Sequence, residues 1–298
     1  MDAATSRGLK QAYLTYPVLI FRDQVLSATE LAAFGRLFGP LETYQSVPKA
    51  AQPLLASLQE TSQRATPDQM LYVHPEDSGV LIMTNESLPD LAAIAVIDNA
   101  ECWHSDGSHK LMPYQAVAVH VVQDPMSGGG DTEFCDLRLI YDALPPGEQE
   151  LLSGLTATHQ WSKSLNPRFA GALDDAARKK GAYIAAKIPG IRQPLVRTHP
   201  ETGRSALYLS PRFTVCVDGA EPDASEEILN ELFAFMDDPR FCYRHQWRKG
   251  DLLIWDNLGT IHRAIADYRP DEIRLIRRCQ VMATKIFDPA FADLARAA

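Results

Sequence analysis

Gln115-Ala116-Val117-Ala118-Val119-His120-Val121-Val122-Gln123 is the clearest strand in the chain. It is rich in β-branched valine and is followed by a turn cluster, Ser127-Gly128-Gly129-Gly130-Asp131. Extended structure resumes at Thr132-Glu133-Phe134-Cys135, which makes this the first strong hairpin. Just ahead of it lies a polar pair in an aromatic setting, Trp103-His104-Ser105-Asp106.

Working outward, Val18-Leu19-Ile20-Phe21 and residues 80–84 read as short apolar strands. Residues 194–199 and 205–210 read as two strands joined by a hairpin-like connection, and 241–247, 251–255 and 274–283 as three more. Helical spacing appears over 26–38, with Ser27 and Thr29 as candidate caps and Gly39-Pro40 as the stop. Residues 136–155 are helical, with Pro145-Pro146 opening a second helix. An amphipathic helix is expected over 225–236, capped by Ser225. Residues 46–70 read as loop with some helix, 86–100 as a long connection over the site, and 167–187 as a helix-containing insertion. Strands outnumber helices, and no composition break divides the chain. The reading is mainly β with flanking helices: a sandwich or barrel core in one domain, 1–298, with lid or insertion segments near 60–101 and 162–192.

Composition narrows the function classes. The net charge of −9, with no basic run, argues against nucleic acid as a partner. Five scattered cysteines with no Cys-x-x-Cys spacing indicate neither a disulfide framework nor a zinc ribbon. No leader pattern is visible at the N-terminus, and no apolar run is long enough to cross a bilayer. The simplest compartment is a reducing cytoplasm.

His104 and Asp106 are two residues apart, so on an extended segment both side chains point to one side. His262 follows more than half the chain later, in Ile254-Trp255-Asp256-Asn257-Leu258-Gly259-Thr260-Ile261-His262-Arg263. Two histidines and one carboxylate are the ligand inventory of a facial triad that holds Fe(II) and leaves other positions open. A His-x-Asp pair by itself is a short pattern, equally at home as a surface polar pair. Near the end of the chain, Arg274 and Arg278 share one face of a strand and Arg277 the other. Arginines directed into a barrel need anionic partners, because an unpaired buried charge is costly. A dicarboxylate cofactor meets that need through the bidentate guanidinium; so does an internal Asp or Glu.

Several longer stretches occur in one order: Trp103-His104-Ser105-Asp106, Gly129-Gly130-Asp131-Thr132-Glu133-Phe134-Cys135-Asp136, Tyr141-Asp142-Ala143-Leu144-Pro145, Pro194-Leu195-Val196-Arg197-Thr198-His199-Pro200-Glu201-Thr202-Gly203, and Gly250-Asp251 through to His262-Arg263. In these, the chain resembles the taurine dioxygenase and 2,4-dichlorophenoxyacetate dioxygenase family of Fe(II)/2-oxoglutarate oxygenases. The resemblance implies a double-stranded β-helix core of jelly-roll, cupin-like type. It implies His104, Asp106 and His262 as iron ligands, and Thr132 and Arg274 as the residues that hold the distal carboxylate of 2-oxoglutarate. It brings forward Arg278, His74 (in Tyr72-Val73-His74-Pro75-Glu76) and the aromatic wall residue Phe213 toward substrate. Family members are commonly dimers or tetramers. Related halogenases replace the carboxylate ligand with a small residue, so Asp106 argues for oxygenation. Three departures stand out: an early first strand, Leu165 where taurine dioxygenase is aromatic, and an unusually apolar 87–101 segment.

The function implied is oxidative decarboxylation of 2-oxoglutarate to succinate and CO2, with O2 as oxidant, coupled to hydroxylation of a small anionic molecule; cleavage of a carbon–heteroatom bond can follow. The alternative on the same scaffold is desaturation or another oxidative step on a larger secondary metabolite. A reading of a different class is a zinc hydrolase or a non-catalytic metal-binding barrel. The remaining histidines, His109, His120, His159, His199 and His245, read as structural, and Trp103, Trp247 and Trp255 as packing beside the core. The triple glycine lacks the Lys-Ser/Thr and helix of a phosphate loop.

Overall fold

The computed structural model describes residues 2–45, 69–88, 90–91, 93–97, 101–161, 175–187, 190–265 and 267–284. Leu165 and parts of both lid segments (60–68, 89, 92, 98–100, 162–174 and 188–189) lie outside them.

The described elements run as follows: α1 (Ala3–Thr15), β1 (Val18–Phe21), α2 (Ala28–Arg36), β2 (Gln69–Val73), β3 (Leu81–Thr84), β4 (Ala93–Ile97), β5 (Tyr114–Gln123) and β6 (Thr132–Asp136). Next come α3 (Leu137–Ala143), α4 (Pro146–Ser153), β7 (Thr156–His159), α5 (Asp175–Lys187), β8 (Ile191–Pro194), β9 (Val196–Thr198), β10 (Ser205–Leu207) and β11 (Thr214–Val217). The last described elements are α6 (Pro222–Ala234), β12 (Cys242–His245), β13 (Leu252–Asp256), β14 (Thr260–Ala264) and β15 (Leu275–Met282). The protein is mainly β with flanking helices, and its strand pairings are antiparallel.

The largest sheet has the order β1-β13-β5-β15-β3-β2-β4. Cross-strand register assigns its two faces. Phe21, Leu252, His120, Arg277, Ile82 and Tyr72 are successive partners on one row. Ile20, Leu253, Val119, Arg278, Leu81 and Val73 form the adjacent row, so they project to the opposite side. The first face is covered by α1 and α2 through a core that includes Leu31, Phe34, Ala118, Ile254 and Cys279. α2 begins where its capping box dictates: Ser27 accepts from the Glu30 backbone N–H at 3.2 Å, and the Glu30 carboxylate accepts from the Ser27 N–H at 2.8 Å. Ser27, not Thr29, is therefore the cap.

The opposite face meets a smaller sheet of order β12-β6-β14, with Phe134 edge-on to Trp255 at 5.3 Å. A second core, behind this smaller sheet, joins α3, α4 and α6 to β7, β9, β10 and β11 and includes Leu137, Leu195, Leu229 and Ile261. The site lies between the two facing sheets.

Four sequence expectations change. The strands read as a hairpin across the glycine turn, β5 and β6, do not pair: β5 lies in the large sheet and β6 in the smaller one. The stretch read as a connection over 86–100 contains β4, which pairs with β2. β2 itself begins within the segment read as loop. The last long helix begins at Pro222, which occupies the first turn without sacrificing a hydrogen bond; Ser225 lies inside it, its hydroxyl accepting from the Val217 N–H at 2.8 Å.

Candidate active site

His104 and His262 are brought together by the backbone. They form an isolated antiparallel bridge in which His104 N–H donates to the His262 carbonyl at 3.0 Å and His262 N–H donates back at 2.8 Å. In such a pair both side chains leave the same side, and the ring centroids are 4.3 Å apart. Asp106 is held by a second device. Its N–H donates to Asn257 Oδ1 at 2.9 Å, while Asn257 Nδ2 donates to the Asp106 carbonyl at 2.9 Å and to the Tyr114 carbonyl at 2.8 Å. Ser105 Oγ completes the clamp by donating to the Asn257 carbonyl at 2.7 Å. Donor atoms of His104, Asp106 and His262 all lie within 4.8 Å of one another, and all three residues are buried.

The protonation states suit metal ligation. His104 Nδ1 donates to the Cys102 carbonyl at 2.8 Å, which leaves Nε2 with its lone pair, 3.7 Å from Asp106 Oδ1. Burial, reinforced by Arg212, pushes the His104 ring down to about 4. Burial and the neighbouring His104 push His262 down to about 3. Both rings are neutral at pH 7. Burial acts to raise the Asp106 carboxyl, but Arg278, His262, His104 and a Gln280 hydrogen bond outweigh it and keep the carboxyl well below its ordinary range. Its Oδ2 accepts from Gln280 Nε2 at 2.9 Å and Arg278 Nη1 at 3.2 Å, leaving Oδ1 toward His104.

A cavity of about 270 Å3 opens onto these three side chains. Thr132 and Arg274 line it too. Thr132 Oγ1 accepts from Trp247 Nε1 at 3.0 Å. Arg274 is only 6% exposed, and its guanidinium donates to the Gly130 carbonyl at 3.3 Å. Among the described residues no carboxylate lies within ion-pair distance of it. The Gly-rich turn makes room for this side chain: Gly130 has φ +67°, and a Cβ there would come within 3.1 Å of Arg274 Nε.

Phe213 and Arg278 also line the cavity, the former with its ring 6.1 Å from that of His104. Arg278, put forward toward substrate, is engaged by Asp106. His74 is not among the described residues that line the cavity. Strand alternation explains this: Val73 packs in the inter-sheet core, so His74 leaves from the other face, where Arg277, Glu76 and Asp77 are its charged neighbours. Its Nδ1 accepts from the Glu76 N–H at 3.2 Å, and burial lowers its proton affinity.

The structure adds residues that the sequence reading left aside. Gln280 shares the strand parity of Arg274 and Arg278, a signal that was available. Asn257 stood in a recognised stretch without a role. His109, Trp247 and Trp255, read as structural or packing residues, line the cavity, as do Lys110, Trp161 and Arg212.

Comparison with known proteins places this geometry in context. The family model described as "Taurine catabolism dioxygenase TauD, TfdA family" matches residues 1–280. The chain is 35% identical over 248 residues to the alpha-ketoglutarate-dependent 2,4-dichlorophenoxyacetate dioxygenase of Cupriavidus pinatubonensis, covering 83% of this chain and 78% of that one. It is 31% identical to pentalenolactone F synthase of Streptomyces arenae, covering 97% and 88%. Among solved structures, a taurine dioxygenase from Burkholderia xenovorans shares the fold with a TM-score of 0.69 at 24% identity, covering 95% and 83%.

Proposed function

The chain belongs to the taurine catabolism dioxygenase TauD, TfdA family, whose members include alpha-ketoglutarate (2-oxoglutarate)-dependent dioxygenases, and we propose how its own residues perform that chemistry. It is an Fe(II)/2-oxoglutarate-dependent dioxygenase acting on a small organic substrate.

We infer that His104, Asp106 and His262 hold the iron. One observation carries this assignment: three buried donors of the right chemistry converge within 4.8 Å. Both rings are neutral, the carboxylate is ionised, and a His262 ring nitrogen is buried without a hydrogen-bond partner among the described residues. Such a set suits Fe(II) and leaves positions for other ligands. Iron held there would, with 2-oxoglutarate, activate O2, the oxidant that couples decarboxylation to succinate and CO2 with hydroxylation of the substrate.

The rest is positioning. Arg278 and Gln280 fix Asp106 Oδ2, so that Oδ1 is the oxygen presented beside His104. Arg274, buried without a carboxylate partner, and Thr132 are suited to take the distal carboxylate of 2-oxoglutarate. Phe213, Trp161, Met83 and Ile276 supply wall that keeps water from the reacting carbon. The cavity, about 270 Å3, falls just below the roughly 300–1,000 Å3 typical of ligand pockets, which favours a compact substrate. The lining is rich in cations, which favours an anionic one. The similarity to pentalenolactone F synthase keeps a second reading in play, oxidative tailoring of a larger metabolite with the same cofactors.

The two facing sheets support a jelly-roll core in a single 1–298 domain. No helix among the described residues is long and apolar enough to cross a membrane. A cytoplasmic homodimer or homotetramer is the proposed working form.

The test is an anaerobic titration of Fe(II)-loaded protein with 2-oxoglutarate, followed by a succinate-release screen over sulfonates, aryloxyalkanoates, sulfate esters and amino-acid derivatives. A visible charge-transfer band that vanishes in Asp106→Ala and His262→Ala is expected. A protein that hydrolyses esters with zinc and shows no such band would refute the assignment.

A further inference from the structure

Two of the five cysteines face each other across a strand pair. Cys135 of β6 and Cys242 of β12 are register partners in the smaller sheet. One residue along, the Asp136 N–H donates to the Phe241 carbonyl at 2.9 Å, which makes that pair a hydrogen-bonded one. By antiparallel alternation the Cys135–Cys242 pair is then of the closer, non-hydrogen-bonded type, with Cα atoms roughly 4.5 Å apart. That spacing falls inside the roughly 4.4–6.8 Å that a disulfide spans. Two of the other cysteines meet different residues across their strands: Cys216 faces Thr158, and Cys279 faces Ala118.

The two thiols are already in contact. The Cys135 S–H donates to Cys242 Sγ; this contact and burial push the Cys135 thiol up, and the same contact lowers Cys242. Cys242 Sγ in turn donates to the Met236 carbonyl at 3.0 Å. Cys135 is fully buried whereas Cys242 is half-buried, so a small reagent reaches Cys242 first. Strand alternation decides where the pair points. Phe134 packs in the core between the sheets, so Cys135 leaves from the back of its sheet, into the core that holds Leu137 and Ile261. The pair therefore lies behind the sheet that carries Thr132 and His262, and neither cysteine lines the cavity. The dioxygenase chemistry uses neither sulfur.

We propose that Cys135 and Cys242 form a peroxide-reactive dithiol that closes to a reversible disulfide and staples β6 to β12 while leaving the metal site intact. The Cys242 thiolate attacks one oxygen of hydrogen peroxide. The O–O bond breaks, Cys242 becomes a sulfenic acid, and the departing hydroxide takes up a proton as water. Cys135 then loses its proton and attacks Cys242 Sγ. The S–O bond breaks, the disulfide forms, and the hydroxide leaves with that proton as a second water. The two sulfurs together give up two electrons, and the peroxide accepts them. Opposed Cβ atoms in a sheet stand about 4.5–5.5 Å apart, wider than the roughly 3.8 Å of a disulfide, so the bond forms under strain and is readily reduced. It joins positions 107 apart in the chain, a closure long enough to restrict the unfolded state strongly.

The experiment uses the full chain loaded with Mn(II), because iron itself reacts with peroxide. Reduced protein is treated with a slight excess of hydrogen peroxide and read by free-thiol count, intact mass, peptide mapping and thermal melt. Wild type should lose two of its five thiols and yield a Cys135–Cys242 crosslinked peptide. Its mass should fall by about 2 Da, and its melting temperature should rise by roughly 3–7 °C. Dithiothreitol should reverse every change. Mn(II) affinity by calorimetry should be the same in the reduced and oxidised forms. Cys242→Ser should form no species lighter by about 2 Da, and Cys135→Ala should stop at a Cys242 sulfenic acid, about 16 Da heavier and trapped by dimedone. If a variant fails to fold, the wild-type peptide map still decides. The proposal is overturned by a wild type that keeps all five thiols, by a crosslink that maps to another pair, or by oxidation that dithiothreitol does not reverse. It is overturned equally by an oxidised protein that no longer binds Mn(II).

Discussion

Replacing Gln280 by Leu removes a hydrogen bond from the Asp106 carboxylate and changes side-chain volume little. Gln280 is 5% exposed and links two groups: Nε2 donates to Asp106 Oδ2 at 2.9 Å, while Oε1 accepts from the Tyr44 hydroxyl. The tyrosine fixes which way the amide faces, so Nε2 is pinned on the carboxylate. A hydrogen bond to a charged group contributes about 1.5–3 kcal/mol. Arg278 remains on the same oxygen at 3.2 Å, so the loss should fall in the lower half of that interval. Since about 1.4 kcal/mol is tenfold, metal affinity should weaken roughly 10- to 50-fold. Loss of a group that braces a ligand commonly costs about 10- to 100-fold, which agrees. The assay is anaerobic Fe(II) or Mn(II) titration by calorimetry, with the metal-free melting temperature as the folding control. Tyr44→Phe, which frees the amide to turn, should show the same effect in smaller measure. Wild-type metal affinity in Gln280→Leu, in a protein that melts normally, would refute the claim that Asp106 needs this bracing.

Arg274→Met should weaken 2-oxoglutarate binding by about 100-fold or more, since charge-assisted bidentate contacts are lost, yet raise the melting temperature of the metal-free protein because a buried charge without a carboxylate partner disappears; calorimetry and a thermal melt separate the two effects. Asp256→Ala should cost about 1–3 kcal/mol in urea unfolding, because it uncaps the buried Leu258 and Gly259 N–H groups and removes the longer of two carboxylate contacts to Arg138 (3.3 Å), which keeps Asp136 at 2.9 Å. His159 is fully enclosed beside Tyr208, and burial pushes it down to about 3 against an ordinary 6.5. It is neutral when folded and protonates when unfolded, so stability is full above about pH 6.5 and is lost as pH falls toward 3; by pH 5 the loss is about 2 kcal/mol, and His159→Leu should flatten the measured pH dependence by that amount. Metal affinity should rise about 5- to 100-fold at saturating 2-oxoglutarate, read by repeating the titration with and without it.

The parts of the fold legible in the sequence were those with a strong local period. β5, α2 and β15 announced themselves through β-branched runs, a capping box and strand alternation. Alternation also separated Arg274 and Arg278 from Arg277, whose guanidinium indeed leaves for the Leu26 carbonyl at 2.8 Å. The four- and five-residue strands β7, β8, β11 and β14 carried no comparable signal, because their existence depends on partners distant in sequence. β14 carries His262, and the isolated bridge between His262 and His104, 158 positions apart, is what turns a lone histidine into a ligand partner. Asn257 was illegible for a related reason: an asparagine in a loop has no period, and its clamp on Asp106 spans 151 positions. His74 shows the converse hazard. A local match to a motif says nothing about which face of a strand a side chain leaves from, and here the face decided.

The charges around the cavity explain why metal and co-substrate should bind together. Asp106 already shares its charge with Arg278 at 3.2 Å, and the two histidine ligands are neutral. A divalent metal arriving alone therefore meets little net negative charge, with Arg212 and Arg274 also lining the same cavity. 2-Oxoglutarate brings two negative charges that can lie between the metal and Arg274. Each positive group then has a nearby anion, in a setting where low dielectric makes such contacts strong. By thermodynamic linkage the metal must raise the affinity for 2-oxoglutarate by the same factor that 2-oxoglutarate raises affinity for the metal. Arg274 is what anchors the far end of that neutralising bridge. Its removal should therefore lower the coupling factor itself, beyond its direct effect on 2-oxoglutarate, whereas loss of the Gln280 brace should weaken the metal both with and without co-substrate and leave the factor intact.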